Sequence, residues 1–208
     1  MEMKLMEPIL DFKDILNAKN KFLRFIGQNS GEVDSFWIIK NQNWQVKAIY
    51  DGDLYEDKSE TLLMRTLNKY GFSSLTGVSF LQCIHGGNFS PFNVVNIPAT
   101  IAGIEEFRVH SIFDWCLLFS GDPDWAILVV HSMDFLLIMG KDGIFSELYN
   151  IFSDDVLSGL SEMSKSEHLC KDIRDFYTNL LYQVDVVYPE AKVGEVISIK
   201  LPNSNMEY

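Results

Sequence analysis

Three apolar runs stand almost end to end over residues 113–119, 125–131 and 135–139, and no other stretch restricts the fold as strongly. The turn Gly121-Asp122-Pro123-Asp124 divides the first two. Each run is far shorter than the roughly 20 residues that cross a bilayer as a helix. Each is also too continuously apolar for a strand with one face in water. Short runs of this kind, bounded by turn residues, predict central strands buried on both faces. Strands buried in this way require a helical cover.

The cover is legible as helical spacing elsewhere. Over residues 8–26, Pro8 suits an early helical position, Ile9, Phe12, Ile15, Leu16, Leu23 and Ile26 recur at helical intervals, and Gly27 is placed to end the helix. A second helix is expected over 59–70, with Leu62, Leu63, Leu67 and Tyr70 on one side, Asp57 or Ser59 as cap and Gly71 as stop. Asp142 is suited to cap a third, containing Ile144, Phe145, Leu148 and Ile151. A fourth, from Ser166, carries Leu169, Ile173, Phe176, Leu180 and Leu181.

Residues 32–40 and 44–51 are β-branched and aromatic, and the turn-forming Asn41-Gln42-Asn43 between them predicts a β-hairpin. Another strand is expected over 78–84, loop over 85–100 where Gly86, Gly87, Pro91 and Pro98 cluster, and a late strand over 193–201. Order is expected to fade after Pro202. These patterns predict one α+β domain over residues 1–208: a predominantly antiparallel sheet covered by helices, with room for a C-terminal helical extension over 153–185. The serine- and acid-rich stretch 153–166 reads as a joint between helices. Trp37, Trp44, Trp115 and Trp125 all fall on expected strands, where core packing is the default for so large a ring.

Composition enters where function does. Twenty-nine acids against 17 bases give a net charge of -12, which repels nucleic-acid backbones and anionic lipid and steers a basic protein inward. Acids and lysines recur through the first 24 residues, leaving no signal-peptide core. Cys83, Cys116 and Cys170 form an odd set without paired spacing, as suits a reducing compartment. The expected location is the cytoplasm, with neither nucleic acid nor membrane as partner; nothing in the sequence sets the oligomeric state.

Familiar catalytic patterns fail on inspection. Gly140-Lys141-Asp142 has neither the upstream glycine nor the hydroxyl residue of a phosphate loop, and no dinucleotide-binding glycine pattern occurs. His85-Gly86-Gly87 has the look of an esterase oxyanion loop, but Gly71-Phe72-Ser73-Ser74-Leu75 lacks the closing glycine of a nucleophile elbow. A calcium loop starting at Asp51 would put Glu56 at the required glycine and Leu62 at the bidentate acid. Cys83, His85, His110 and Cys116 are soft ligands without a metal-site spacing. No cofactor and no metal are implied.

Two readings remain. An enzyme would use the 85–110 region, with His85 or His110 as acid-base and Glu105 or Glu106 as its orienter. A non-enzymatic acidic binding protein would need only surface carboxylates. The candidates are Asp51, Asp53, Glu56, Asp57, Asp122, Asp124, Asp154 and Asp155, because loops and helix starts expose carboxylates to a partner's lysines and arginines. Trp44, at the expected hairpin tip, is the candidate aromatic anchor. The binding reading is preferred.

One segment carries a resemblance. Phe113-Asp114-Trp115-Cys116-Leu117-Leu118-Phe119, an acidic turn, Asp124-Trp125-Ala126-Ile127-Leu128 and then Asp134-Phe135-Leu136-Leu137-Ile138 resembles a pattern in small bacterial immunity-type proteins. The resemblance covers residues 113–139 and no more. It implies a bacterial cytoplasmic antidote that binds a cognate toxin domain through surface carboxylates. Any three successive strands bearing two tryptophans share the pattern, so it transfers no functional residue.

Overall fold

A computed structural model describes residues 7–28, 35–39, 44–50, 57–79, 94–111, 115–121, 124–130, 135–141, 143–152, 156–184 and 196–200. In chain order the elements are β1 (Glu7–Pro8), α1 (Phe12–Phe22), β2 (Ile26–Gln28), β3 (Ser35–Ile39), β4 (Trp44–Tyr50), α2 (Asp57–Lys69), β5 (Ser74–Ser79), β6 (Val94–Pro98) and α3 (Ile101–Ser111). There follow β7 (Trp115–Phe119), β8 (Trp125–Val130), β9 (Phe135–Lys141), α4 (Ile144–Phe152), α5 (Val156–Lys165), α6 (Lys171–Val184) and β10 (Val196–Lys200). The fold is α+β. No helix among the described residues is long and apolar enough to cross a membrane.

The three apolar runs become β7, β8 and β9 at the centre of a seven-stranded sheet of order β1-β6-β5-β7-β8-β9-β4, antiparallel throughout. Their register explains why they are apolar without alternation. Leu117, Leu128, Leu137 and Ala48 stand opposite one another across four strands. With Phe119, Phe135 and Met139 they form one face, which packs against Ala18 and Phe22 of α1 and Phe176, Tyr177 and Leu180 of α6. The intervening Leu118, Ile127 and Ile138 form the other face. That face packs against Leu63 and Leu67 of α2, Ile104 and Phe107 of α3, and Phe145 and Leu148 of α4. Helices on both sides bury both faces of these central strands, and each buried Leu, Ile or Phe stabilises the arrangement by roughly 1.5–3 kcal/mol.

The first helix is shorter than its apolar spacing suggests. It starts at Phe12 because the Asp11 carboxylate accepts from the backbone N–H groups of Lys13 (2.8 Å) and Asp14 (3.3 Å), a cap typically worth about 1 kcal/mol. Pro8 lies outside the helix, in β1 opposite Val95. At the other end the Phe25 N–H turns back to the Phe22 carbonyl, which directs buried Phe25 and Ile26 into the core. Gly27 therefore lies in β2, opposite Trp37, and not at a helix end.

The expected hairpin is not formed. β3 pairs with β2 and β10 in a separate three-stranded sheet, whereas β4 pairs along its length with β9. Trp44, Val46 and Ala48 share the first face of the large sheet with Met139 and Leu137. Burial against a distant strand has overridden local turn chemistry; residues 41–43 lie outside the described residues. The late strand is present as β10, in the small sheet.

Within the span read as loop, β6 pairs with both β1 and β5, and α3 follows directly. The Thr100 hydroxyl accepts from the Gly103 N–H at 3.1 Å, and a Cβ on Gly103 would lie 2.5 Å from the Pro98 carbonyl oxygen. Glycine thus permits the tight turn into α3. β5 begins at Ser74, four residues before the expected start, and residues 80–84 lie outside the described residues. α5 is a helix within the stretch read as a joint, and α6 begins at Lys171 instead of Ser166. The second helix stops as expected, with Gly71 at φ +78° just beyond it. Residues 201–208 lie outside the described residues.

Candidate functional site

β1 is attached to the sheet by Glu7 opposite Asn96 and Pro8 opposite Val95, and the Ile9 N–H donates to the Val94 carbonyl at 3.0 Å. The chain then crosses to α1, whose Ile15, Ala18 and Phe22 are buried. Between this crossing and the strands beneath lies an open groove of about 460 Å³. Pro8, Ile9, Leu10 and Ala18 supply its apolar walls, and Thr76 of β5 and Asn96 of β6 supply polar groups from the sheet.

Three carboxylates, Glu7, Asp11 and Asp14, line the groove against one ammonium, Lys21. Asp11 is held in place by its capping bonds. The Lys21 ammonium donates to the Gly121 carbonyl beyond β7, which anchors the only cation of the lining among the described residues. Glu7 and Asp14 are exposed, and neither carboxylate makes a hydrogen bond or ion pair among the described residues. Beside them Leu10, also in the lining, is 69% exposed. Among the described residues the lining contains no histidine, cysteine or serine. It is rich in carboxylate acceptors, the groups that receive ammonium and guanidinium donors.

The residues singled out in the sequence lie elsewhere. Asp124 is exposed at the start of β8, but its carboxylate is paired with the Lys141 ammonium. Asp57 opens α2, with its side chain outside the described residues, as are Asp51, Asp53, Glu56, Asp122, Asp154 and Asp155 entirely. Trp44 as an exposed anchor is corrected: it is 6% exposed, with its ring centroid 5.1 Å from that of Phe25. It is buried because β4 is a sheet strand beneath α5 and α6, not an arm of a projecting hairpin. Trp125 is likewise buried, while the side chains of Trp37 and Trp115 lie outside the described residues.

Glu105 is exposed on α3 and Cys116 is fully buried in β7; Cys83, His85 and the His110 side chain lie outside the described residues. No three His, Cys, Asp or Glu side chains gather closely enough to hold a metal among the described residues.

A second polar cluster joins α2 to α4. Lys69 donates to Glu147 at 2.6 Å, and the Tyr70 hydroxyl donates to the same oxygen at 3.1 Å. The Lys69 hydrogen bond holds Glu147 below the usual carboxylate range, and the same bond raises Lys69. Tyr70 is raised first by desolvation and then by its hydrogen bond to Glu147. The cluster lies on the surface and links helices; the groove, by contrast, has unpaired acceptors at its mouth.

Sequence reasoning passed over the groove because Pro8 and Ile9 were absorbed into the first helix. The usable signal was Asp11, a good capping residue directly before Phe12, with Asp14 in the first turn behind it. Comparison with protein-family models, with curated proteins and with solved structures finds no match to the chain.

Proposed function

We propose that the protein is a non-enzymatic binding protein that receives a basic partner at the groove beside α1. The observation that carries this reading is the set of three carboxylates against one anchored lysine, next to exposed Leu10. A partner lysine or arginine would exchange water for charge-assisted bonds to Glu7 and Asp14, each stronger than a neutral hydrogen bond. Exposed Leu10 and the apolar walls of Pro8 and Ile9 would supply desolvation, and the net charge of -12 would speed encounter.

The resemblance of residues 113–139 makes a bacterial toxin domain the proposed partner and the protein its antidote. Those residues include three central strands with buried side chains, so the resemblance concerns the scaffold, and contact falls to the groove. Tagged wild-type protein and a Glu7→Gln/Asp14→Asn variant should be used in parallel for affinity capture from the native host, with elution by salt. A basic protein retained by the wild type and lost from the variant is the expected result. Identical captured sets from both would remove the groove from the proposal.

A further inference from the structure

We infer that β1 is an autoinhibitory strand: it occupies the outer edge of β6, and when it leaves, β6 of one copy pairs with β6 of a second. Glu7 and Ile9 act here through their backbone, independently of the groove reading. β6 is paired by β5 along its whole length on one side. Alternate residues of an antiparallel strand bond to opposite neighbours. The Ile9 N–H bond to Val94 sets the phase, so the outward row of β6 belongs to Val94, Asn96 and Pro98. β1 engages that row and reaches no further. Glu7 stands opposite Asn96 as a bonded pair, and the Ile9 N–H donates to the Val94 carbonyl at 3.0 Å. Pro98 has no N–H, and its carbonyl already accepts from the Thr100 N–H at 2.7 Å.

The outer side of β1 then closes the sheet. Pro8, opposite Val95, takes the outward position without an N–H, and Glu7 adds a charge. A very short strand, a proline and a charge are the features that keep an edge from accepting another strand. β6 beneath it carries no charge, and Val94, Val95 and Ile97 are β-branched, which suits it to pairing. The guard is lightly held: Ile9 is only partly buried and Leu10 is 69% exposed, and segments with few buried contacts open locally. The edge it covers is self-complementary. About a two-fold axis at Val95, Val94 of each copy faces Asn96 of the other. That arrangement forms two bonded pairs, where β1 supplies one pair and the single Ile9 bond. A second copy is therefore the occupant whose register the row itself sets. No like charges meet along the paired strands, although each chain carries a net charge of -12.

The test compares full-length variants with the wild type by sedimentation over a concentration series. Glu7→Pro/Ile9→Pro removes both N–H groups that hold β1 to β6, and should self-associate at least about tenfold more tightly than the wild type. Glu7→Ala/Ile9→Ala loses the same side chains but keeps the N–H groups, and should match the wild type. Val95→Lys added to the proline variant sets two ammonium groups across the two-fold axis; it should cancel the gain even though it lowers the net negative charge. No gain in the proline variant, an equal gain in the alanine variant, or a gain that survives Val95→Lys overturns the inference. Both pairs of substitutions remove the Glu7 carboxylate, so octalysine, as a probe of the groove, does not separate them, and the groove reading stands or falls on its own. In the wild type the Asn96 amide, bonded to Glu7, should exchange with solvent at least about tenfold faster than that of Leu128 in β8. Equal rates would show that β1 leaves only on global unfolding, and would overturn the inference whether or not the proline variant folds.

Discussion

Gly77 stands in the middle of β5 because the ring of Phe107 fills the space a side chain would need. A Cβ there would lie 2.6 Å from Phe107 Cε2 and 2.8 Å from Ile97 Cδ1. Gly77→Ala should therefore destabilise the protein by about 1–3 kcal/mol, the usual cost of overpacking a core, as a lower urea midpoint at constant slope. Trp125 presents the reverse case: it is 1% exposed, and its indole N–H is buried without a hydrogen-bond partner among the described residues. Trp125→Phe removes that donor while keeping a ring against Phe72, whose centroid lies 6.0 Å away. Its cost should stay under about 1.5 kcal/mol, against about 3–5 kcal/mol for Trp125→Ala; comparable losses for the two variants would show that the indole N–H does stabilise the fold and is not an orphan. Both burials follow a pattern visible in the sequence, since Trp125 lies in the apolar run and β5 includes Val78 of the expected strand. The contact between Gly77 and Phe107 was not visible, because it depends on α3 lying over β5.

Among the elements, α2 and α4 are fastened by the Lys69, Tyr70 and Glu147 cluster, whose pH window follows from its shifts. Glu147 is lowered from 4.5, so its contribution is fully present above that value and is lost as pH falls through the lower folded one. Lys69 is raised from 10.5, so its contribution is present below that value and is lost as pH rises through the higher one. In Lys69→Met the Glu147 carboxyl should titrate at higher pH than in the wild type, as followed by NMR; an unmoved midpoint would show that the ion pair is absent in solution. Elements were legible to the extent that their patterns were local. β7, β8 and β9 declare themselves because both faces are buried and every position is apolar. α3 does not, since Ile101 and Val109 are exposed on a helix whose interior side carries Ile104 and Phe107, which blurs its 3.6-residue stripe. β3 and β4 had the right strand composition and the wrong partners, because pairing is set by distant faces that adjacent residues do not encode.

On the scale of the whole molecule, the acidic balance is a long-range field, and the groove is one place where it meets unpaired acceptors. Octalysine binding should weaken steeply between low and physiological salt, because the screening length falls to about 8 Å at 0.15 M; binding indifferent to salt would exclude an electrostatic groove. The α+β layering was legible from the alternation of apolar runs and helical stripes. The division into two sheets was not, since it arises from pairing β10 with β3. That pairing has a counterpart in each early strand of the large sheet: β1 is paired by β6, and β4 by β9. A ribosome releases β1, β3 and β4 before any of these partners has been made. β1 and β4 emerge with those edges open, and the large sheet cannot be completed until β9 has been made. Until then those edges are open templates on which another chain can pair.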